Sequence, residues 1–310
     1  MAKVTVLGTG MVGASFAYRL LNSGLASEML LVDANHMRAE GEMMDLNHAM
    51  PFEHPCQVEV GDYADIKGSE VVVISAGAAQ RPGETRLDLV QRNAAIFRDM
   101  IPQVAKAAPE AIMVIATNPV DIMTQAAIKY SEFAPERVVG SGTILDTARF
   151  RYLLGEYYGV DPRSVHAYII GEHGDSEVPA FSCASIAGVP LADVAKQLGK
   201  EYDLNDMEDI FQQVRTAAYE IINRKGSTYY AIASGLLRVT EAILRDQSTA
   251  FSVSNVMTGQ YGIKDVCLSL PMVVSRKGIT ATLTLPLNEK ELEGFRHSAQ
   301  VLGELAAKTL

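Results

Sequence analysis

Short apolar runs alternate with helix-permissive segments along about the first 140 residues of the chain. The runs are Val4–Leu7, Met29–Val32, Glu70–Ser75, Ala111–Thr117 and Val138–Gly140. Most are followed by a segment in which apolar positions recur with helical spacing. Strands that alternate with helices predict an α/β fold, with a parallel, doubly wound sheet covered by helices on both faces.

The second half of the chain groups its elements instead of alternating them. Helical patterns cover Gly142–Tyr158, about Met207–Arg224, about Thr228–Arg245 and Asn288–Lys308, and strand-like runs cover Ala250–Val256, Cys267–Ser275 and Ile279–Leu285. This order predicts an α+β arrangement. Since 310 residues exceed one ordinary core, we expect two domains, residues 1–141 and residues 142–310.

A glycine motif follows the first apolar run directly. Gly8, Gly10 and Gly13 have G-x-G-x-x-G spacing, and Asp33 ends the second run, 20 residues after Gly13. In this context Gly8 permits a tight turn, Gly10 lets backbone approach a pyrophosphate, and Gly13 lets the helix pack on the strand. Asp33 would bind the adenosine ribose and repel a 2′-phosphate, so NAD is expected over NADP. The alternative is an Asp33 that only caps the end of a strand.

Polar residues also follow the next two parallel runs. Glu70–Ser75 leads into Ala76–Arg86, a polar loop whose Pro-Gly pair suits a mobile lid, and Ala111–Thr117 ends at Asn118-Pro119. The carboxyl ends of parallel strands meet at one edge of a sheet, where ligands bind. We therefore expect these loops and the glycine motif to form one binding crevice.

The segment Val165–Glu177 carries the candidate for proton transfer. A buried strand over Ala167–Ile170 leads into a glycine turn with His173, a side chain that exchanges a proton near neutral pH. Asp146 and Arg149 are three residues apart and share a helical face, which suits an orienting carboxylate and a carboxylate-binding guanidinium. Hydride transfer at a carbinol carbon needs a base, a substrate anchor and a polarising cation, and Arg86 on the loop could supply the last. The alternatives are a structural His173, a surface Asp146–Arg149 pair and a solvated Arg86.

Composition excludes several other classes. The net charge is −10 with no basic run, which argues against nucleic acid or an anionic membrane as partner. The chain enters a strand almost at once, and no apolar stretch approaches the length of a membrane span. Cys56, Cys183 and Cys267 lack metal-type spacing, so we expect reduced thiols, a cytoplasmic location and no metal.

Seven motifs resemble one family along most of the chain. GTGMVG, Asp33, AGAAQRPGETR, TNPVD, GSGTILDTARFR, IIGEHGDSE and KGSTYYAI occur in order between residues 8 and 232, as in the L-lactate/L-malate dehydrogenases. The resemblance implies that His173 is the proton donor and acceptor, Asp146 its partner, Arg149 the carboxylate clamp, Arg86 the loop arginine and Asn118 a ligand of substrate and nicotinamide. The implied NAD-binding residues are Gly8, Gly10, Met11, Val12, Gly13, Asp33, Ala76, Gly77, Asn118 and Ile232.

The loop indicates which branch of the family the chain resembles. Malate-specific members have arginine where this chain has Gln80, and glutamine leaves a second substrate carboxylate unpaired. Thr228 and Ile232 also resemble the lactate branch, so pyruvate and L-lactate are the expected substrates. Arg81 leaves malate open, because a one-residue shift of the loop could present its cation to oxaloacetate.

Two further residues match an allosteric site of bacterial members. Arg151 and His166 match positions that bind fructose 1,6-bisphosphate across a two-fold subunit interface, which implies an activated homotetramer. Two copies of each would form a cluster of four cations that repel one another until a polyanion binds. The alternative is a solvated Arg151 and a packed His166.

Rival functions are a malate dehydrogenase and a non-catalytic NAD-binding module. A module of the second kind has no use for His173, Asp146, Arg149 and Arg86 together. An NAD-using sugar-phosphate or glycosidase relative would need Cys/His metal spacing, which is not found in the sequence.

Overall fold

The computed structural model describes residues 2–78 and 86–310, except for the side chain of Arg86. Its first half follows the predicted alternation, with strand and helix bounds within a few residues of those expected, except for a strand at Gln57–Val60 where none was predicted. The elements are β1 (Lys3–Leu7), α1 (Met11–Ser23), β2 (Glu28–Val32), α2 (His36–Ala49), β3 (Gln57–Val60), β4 (Val71–Ile74), α3 (Arg86–Ala107), β5 (Ile112–Ile115), α4 (Val120–Ser131) and β6 (Val138–Gly140).

The second half contains long helices, short strands and one long antiparallel unit. The elements are α5 (Ile144–Tyr158), β7 (Val165–His166), β8 (Ile169–Ile170), β9 (Val178–Pro179), β10 (Ser185–Ile186), β11 (Val189–Pro190), α6 (Leu191–Gln197), α7 (Leu204–Lys225), α8 (Tyr230–Leu244), β12 (Thr249–Thr258), β13 (Lys264–Ser275), β14 (Gly278–Thr282) and α9 (Glu289–Thr309).

The main sheet confirms the α/β fold class. Its strand order is β14-β13-β12-β6-β5-β4-β1-β2-β3. The six strands β1 to β6 are all parallel, with Val4 of β1 opposite Met29 of β2 and Val71 of β4. The chain winds outward from β1 in one direction to β3 and in the other from β4 to β6. The loops after β1 and β4 therefore flank the switch point of the sheet, where such folds bind ligands.

The three strands β12, β13 and β14 of the second half do not form a sheet of their own. They extend the parallel sheet, because β12 pairs antiparallel with β6 through Ser254 and Gly140. Gly140 makes the approach possible: a Cβ there would lie 2.9 Å from the Cβ of Ser254. Apolar alternation identifies strands but not their partners, so this continuity was not predicted. The division at residue 141 stays a prediction.

The expected strand over Ala167–Ile170 forms only at Ile169–Ile170, and the segment around it is divided between two small sheets. β7 ends at His166 and pairs with β10, whereas β8 begins at Ile169 and pairs with β9. The run is buried along most of its length, as expected, but its backbone turns from one partner to the other. β8 then brings the chain directly to the His173 loop.

Apolar side chains form two buried clusters in the described residues. The larger covers both faces of the main sheet, and the smaller joins α5, α6 and α7 to β7 and β10. Phe150, Leu154, Val165 and Val214 of the smaller cluster are fully buried and fix α5, which carries the predicted substrate side chains. No helix within residues 2–78 or 86–310 combines the length and apolar content of a membrane span.

Candidate active site

The glycine loop between β1 and α1 has the geometry that a bound diphosphate requires. Gly8 has φ +95°, and a Cβ there would lie 2.5 Å from the backbone nitrogen of Ala76. A Cβ on Gly13 would lie 1.8 Å from the carbonyl oxygen of Gly8, whereas one on Gly10 would meet nothing within 4 Å. α1 begins at Met11, followed by Val12. No side chain caps its N-terminus, and its first turn contains no acidic residue. Its first N–H groups therefore remain available to an anion.

Asp33 lies directly after β2 and is hydrogen-bonded to the glycine loop. Its Oδ2 accepts hydrogen bonds from the backbone N–H of Thr9 at 2.6 Å and from the Thr9 hydroxyl at 3.0 Å. Its Oδ1 accepts one from the backbone N–H of Asn35. Asp33 therefore does cap the strand end, as the alternative interpretation held. It is half-buried, and a carboxylate has lone pairs left for a ribose hydroxyl.

Asn93 of α3 connects the loops that follow β4 and β5. Its Oδ1 accepts a hydrogen bond from the backbone N–H of Ala78, and its Nδ2 donates one to the carbonyl of Asn118. The hydroxyl of Thr117 donates to the carbonyl of Ala76, beside Gly77. These bonds fix the backbone and leave the exposed Asn118 side chain free to face a ligand. No local sequence pattern marked Asn93.

The structure brings His173, Asp146 and Arg149 together. His173 Nδ1 lies 2.5 Å from Asp146 Oδ2, and an Arg149 Nη donates to Asp146 Oδ1 at 2.8 Å. The side chains of Asp146 and Arg149 are 4% and 13% exposed, so their contact is not the surface pair of the alternative interpretation. The His173 side chain is 25% exposed, which leaves its other ring nitrogen accessible.

Residues distant from His173 in the sequence hold its loop in place. Asp121 in the first turn of α4 accepts hydrogen bonds from the backbone N–H of His173 at 2.8 Å and from the hydroxyl of Ser254 at 2.6 Å. Behind the loop, the Ser298 hydroxyl of α9 donates to the carbonyl of Ser176. Asp121 lies in the TNPVD motif, but only the fold reveals that it supports the histidine loop.

The electrostatics of this cluster favour a protonated histidine. Burial opposes a charge on His173, but contact with Asp146 and the nearby Asp121 and Glu177 outweigh it and raise its pKa to about 9. Burial likewise opposes ionisation of Asp146, but His173 and Arg149 outweigh it and lower the pKa of that carboxyl. At neutral pH the pair is therefore an imidazolium and a carboxylate. His173 can release a proton to an oxygen atom at its free face.

The cluster opens into a cavity of about 340 Å³ between α5, α7 and the strand-end loops. Its lining includes Asn118, Asp146, Arg149, His173, Glu177 and Arg215. Glu177 and Arg215 were not predicted as site residues. Glu177 is the last residue of the IIGEHGDSE motif. Within the described residues there is no cluster of three or more His, Cys, Asp or Glu side chains suited to a metal ion.

Other predicted residues lie apart from this cavity or outside the described part of the chain. Gln80, Arg81 and the side chain of Arg86 fall outside the described residues. Thr228 and Ile232 are half-buried before and at the start of α8, and Ile232 packs against the larger apolar cluster. Neither contributes to the lining of the cavity.

Arg151 and His166 are neighbours at the surface, away from the cavity. An Arg151 Nη lies 3.4 Å from His166 Nδ1, and Arg151 Nε donates to the carbonyl of Val165. His166 is exposed on β7, so it is not the packed histidine of the alternative interpretation.

A dinucleotide crevice with a proton-carrying histidine at one end is the arrangement that hydride transfer coupled to proton transfer requires. Fold and site together therefore define a nicotinamide-dependent dehydrogenase of small hydroxy acids or oxo acids. Residues 2–140 match the model for the NAD binding domain of lactate/malate dehydrogenase, and residues 143–309 match that for its alpha/beta C-terminal domain. The chain belongs to the lactate/malate dehydrogenase family, as its motifs predicted, and its cofactor is NAD.

Similar proteins span nearly the whole chain. The L-lactate dehydrogenase of Thermoanaerobacter pseudethanolicus is 49% identical over 302 residues, 97% of each chain. That of Bacillus caldolyticus is 50% identical over 307 residues, 99% of this chain and 96% of the relative. Among solved structures, the minor L-lactate dehydrogenase of Enterococcus mundtii superimposes with a TM-score of 0.97 at 39% identity, covering 100% of this chain and 98% of that one. A lactate dehydrogenase from a Medee basin deep-sea metagenome library gives 0.96 at 42%, covering 99% and 98%.

Proposed function

We infer that this enzyme interconverts pyruvate and L-lactate with NADH and NAD, the activity of an L-lactate dehydrogenase. The observation that carries the inference is the cluster of His173, Asp146 and Arg149 in one cavity beside the strand-end crevice. A malate dehydrogenase would use the same cluster, so the choice of substrate depends on the loop. The full-length similarity to L-lactate dehydrogenases supports the lactate branch.

NAD supplies the hydride acceptor, and NADH the donor. Gly8, Gly10, Met11, Val12 and Gly13 would hold its diphosphate at the start of α1, where the open space at Gly10 fits a close approach. Asp33 would bind the adenosine ribose. Ala76, Gly77, Asn118 and Ile232 would complete the cofactor site along the strand ends.

His173 moves the proton that accompanies the hydride. Because Asp146 holds it protonated at neutral pH, it is ready to donate to the oxygen of a 2-oxo acid. In the opposite direction neutral His173 accepts the hydroxyl proton, and Asp146 stabilises the resulting imidazolium. Asp146 also fixes which ring nitrogen faces the substrate, since Nδ1 is taken by its own contact.

Arg149 anchors the substrate. One of its nitrogens is bound to Asp146, which holds the guanidinium plane, and the rest of the fork faces the cavity and can bind a carboxylate in bidentate fashion. Asn118 is exposed at the same cavity and can donate to the reacting oxygen. We expect Arg86 to add a polarising cation, the role that its place in the AGAAQRPGETR motif implies.

Gln80 is proposed to select pyruvate over oxaloacetate. The test is NADH oxidation with each substrate by the wild type and by Gln80→Arg. We expect wild type to prefer pyruvate by about 10²-fold or more and the variant to reverse the preference, since a lone carboxylate in a closed pocket is rejected strongly. Preference of the wild type for oxaloacetate would instead assign the cation to Arg81. Absence of turnover with both, while NADH still binds, would support the non-catalytic module.

A second candidate function is activation by fructose 1,6-bisphosphate in a homotetramer, favoured by the contact between Arg151 and the exposed His166. Two copies of this pair across a two-fold axis would bind a polyanion and shift the assembly towards its active state. We expect the ligand to lower the pyruvate KM in wild type but not in Arg151→Gln, with assembly followed by light scattering. A saturation curve unchanged by the ligand in the wild type would contradict this.

The cytosol is the compartment we propose for the enzyme. Cys56, Cys183 and Cys267 are free thiols in the structure, and burial raises the pKa of Cys56 to about 11, so it resists oxidation.

A further inference from the structure

Glu177 is a buried carboxyl of the catalytic cavity that the proposed reaction does not use. It follows the His173 loop, immediately before β9, and is 7% exposed. Its Oε1 is enclosed and has no hydrogen-bond partner among the described residues. The side chain lines the cavity that contains Asp146, Arg149 and His173. A buried polar atom left without a partner is unusual and needs an explanation.

Asp146 and Glu177 are equally enclosed but surrounded differently. Asp146 contacts both His173 and Arg149, so its charge is compensated on both oxygens. Burial and the charge of Asp146 act against ionisation of Glu177, and the positive charges of His173, Arg149 and Arg215 offset them only in part, which raises the pKa of Glu177 to about 8. Of these two carboxyls, Asp146 is therefore ionised and Glu177 is neutral at neutral pH.

The groups around Glu177 come from several elements. Those lining the catalytic cavity are Asp146 and Arg149 from α5, His173 and Asp175 from its own loop, and Arg215 and Tyr219 from α7. On its other side Glu177 also lines a cavity of about 540 Å³ with Tyr202, Glu208, Lys290 and Glu291. All four lie outside the catalytic cavity, and Glu291 is hydrogen-bonded to Ser182.

A substrate carboxylate adds negative charge to this same cavity. It binds at Arg149, which also supplies part of the positive field that favours ionised Glu177. Substrate binding must therefore disfavour ionised Glu177 further, and by linkage ionised Glu177 must weaken substrate binding. We propose that Glu177 is a positioning residue of the catalytic cavity that must be neutral when the carboxylate of the 2-oxo acid lies against Arg149. This inference rests on the proposed function.

The pH profile of pyruvate reduction tests the role of Glu177. In wild type two groups must hold protons, His173 to donate and Glu177 to admit the substrate. The slope of log kcat/KM against pH should therefore approach about −2 on the alkaline side. Glu177→Gln leaves one such group, so its slope should approach about −1. Because Glu177 also raises the pKa of His173, the remaining decline should begin at lower pH.

Matched variants separate this role from a structural one. Glu208→Gln makes the same chemical change on the exposed face of α7 and should keep the wild-type slope. Glu177→Met also removes the titrating group, so its slope should likewise approach about −1, and either variant alone suffices for the test. A merely structural Glu177 would lower kcat/KM equally at every pH and leave the slope unchanged, which would overturn the inference.

Proton uptake provides a second readout. Oxamate, a carboxylate that resembles pyruvate but is not reduced, would be titrated into the enzyme–NADH complex in two buffers of different ionisation enthalpy. Near about pH 8.5 the wild type should take up more protons per oxamate than Glu177→Gln. Equal uptake would overturn the inference while wild-type reduction of pyruvate leaves the proposed function intact. A wild type without pyruvate reduction would overturn the proposed function itself.

Discussion

The glycine loop after β1 and the His173 loop after β8 both present a strand end to the ligand, but different contacts hold them. The glycine loop is supported by neighbours in the parallel sheet, such as the Asp33 carboxylate and the backbone of Ala76. The His173 loop is held by Asp121, Asp146 and Ser298, which come from three separate helices. The cofactor end is thus a local structure, whereas the catalytic end exists only once both halves of the chain have packed.

Substitution of His173 should have the largest effect, because it should abolish most of the catalysis and leave cofactor binding unchanged. His173→Gln removes the proton donor, so we expect kcat for pyruvate to fall about 10³-fold, within the range for general acid catalysis. NADH binding, measured by fluorescence, should remain unchanged because the glycine loop does not contact His173. His297→Gln, on the exposed face of α9, is the matched control and should keep full activity. A loss of less than about tenfold would exclude His173 as the proton donor.

Substitutions of two glycines should affect stability and cofactor binding separately: Gly13 for stability and Gly10 for NADH binding. A methyl at Gly13 would collide with the carbonyl of Gly8, so Gly13→Ala should lower the free energy of unfolding by about 1–3 kcal/mol. Gly10→Ala meets open space at φ −63° and should leave the melting temperature unchanged. It should nevertheless weaken NADH binding about tenfold, because the methyl occupies the approach of the diphosphate. Normal NADH binding by Gly10→Ala would contradict this assignment.

The same difference explains how much of the protein could be predicted from the sequence. The fold class, the parallel strands other than β3 and the glycine loop depend on apolar periodicity and on residues close together in the chain, so pattern alone identified them. The pairing of β12 with β6 could not be predicted, because alternation carries no information about which edge a strand joins.

Within the site, Asp146, Arg149 and His173 were found through helical spacing and motif. Asn93 and Asp121 were not assigned roles, because their function is to hold backbone that lies 15 to 52 residues away. Glu177 was visible only as one acid in an acidic loop. Its burial and missing partner are properties of the folded cavity.

The smallest expected effect concerns the support of the His173 loop. Asp121 accepts two hydrogen bonds with separate oxygens, whereas an asparagine side chain at this position would present an amide N–H₂ to one of the two donors, the Ser254 hydroxyl or the His173 backbone. Asp121→Asn should therefore reduce kcat/KM for pyruvate about tenfold, equivalent to the misplacement of one buried hydrogen bond. NADH affinity should be unchanged.

The pH dependence of this variant distinguishes support of the backbone from an electrostatic contribution. The Asp121 charge helps to raise the pKa of His173, so its removal should lower that pKa from about 9. His173 then loses its proton at lower pH, and the alkaline decline of pyruvate reduction should move in the same direction. Asp99→Asn, on the exposed face of α3, should leave both rate and profile unchanged. If Asp121→Asn lowers the rate but not the pH of the decline, Asp121 acts only through the position of the loop. The catalytic end would then depend on packing between the two halves and not on a shared field of charge.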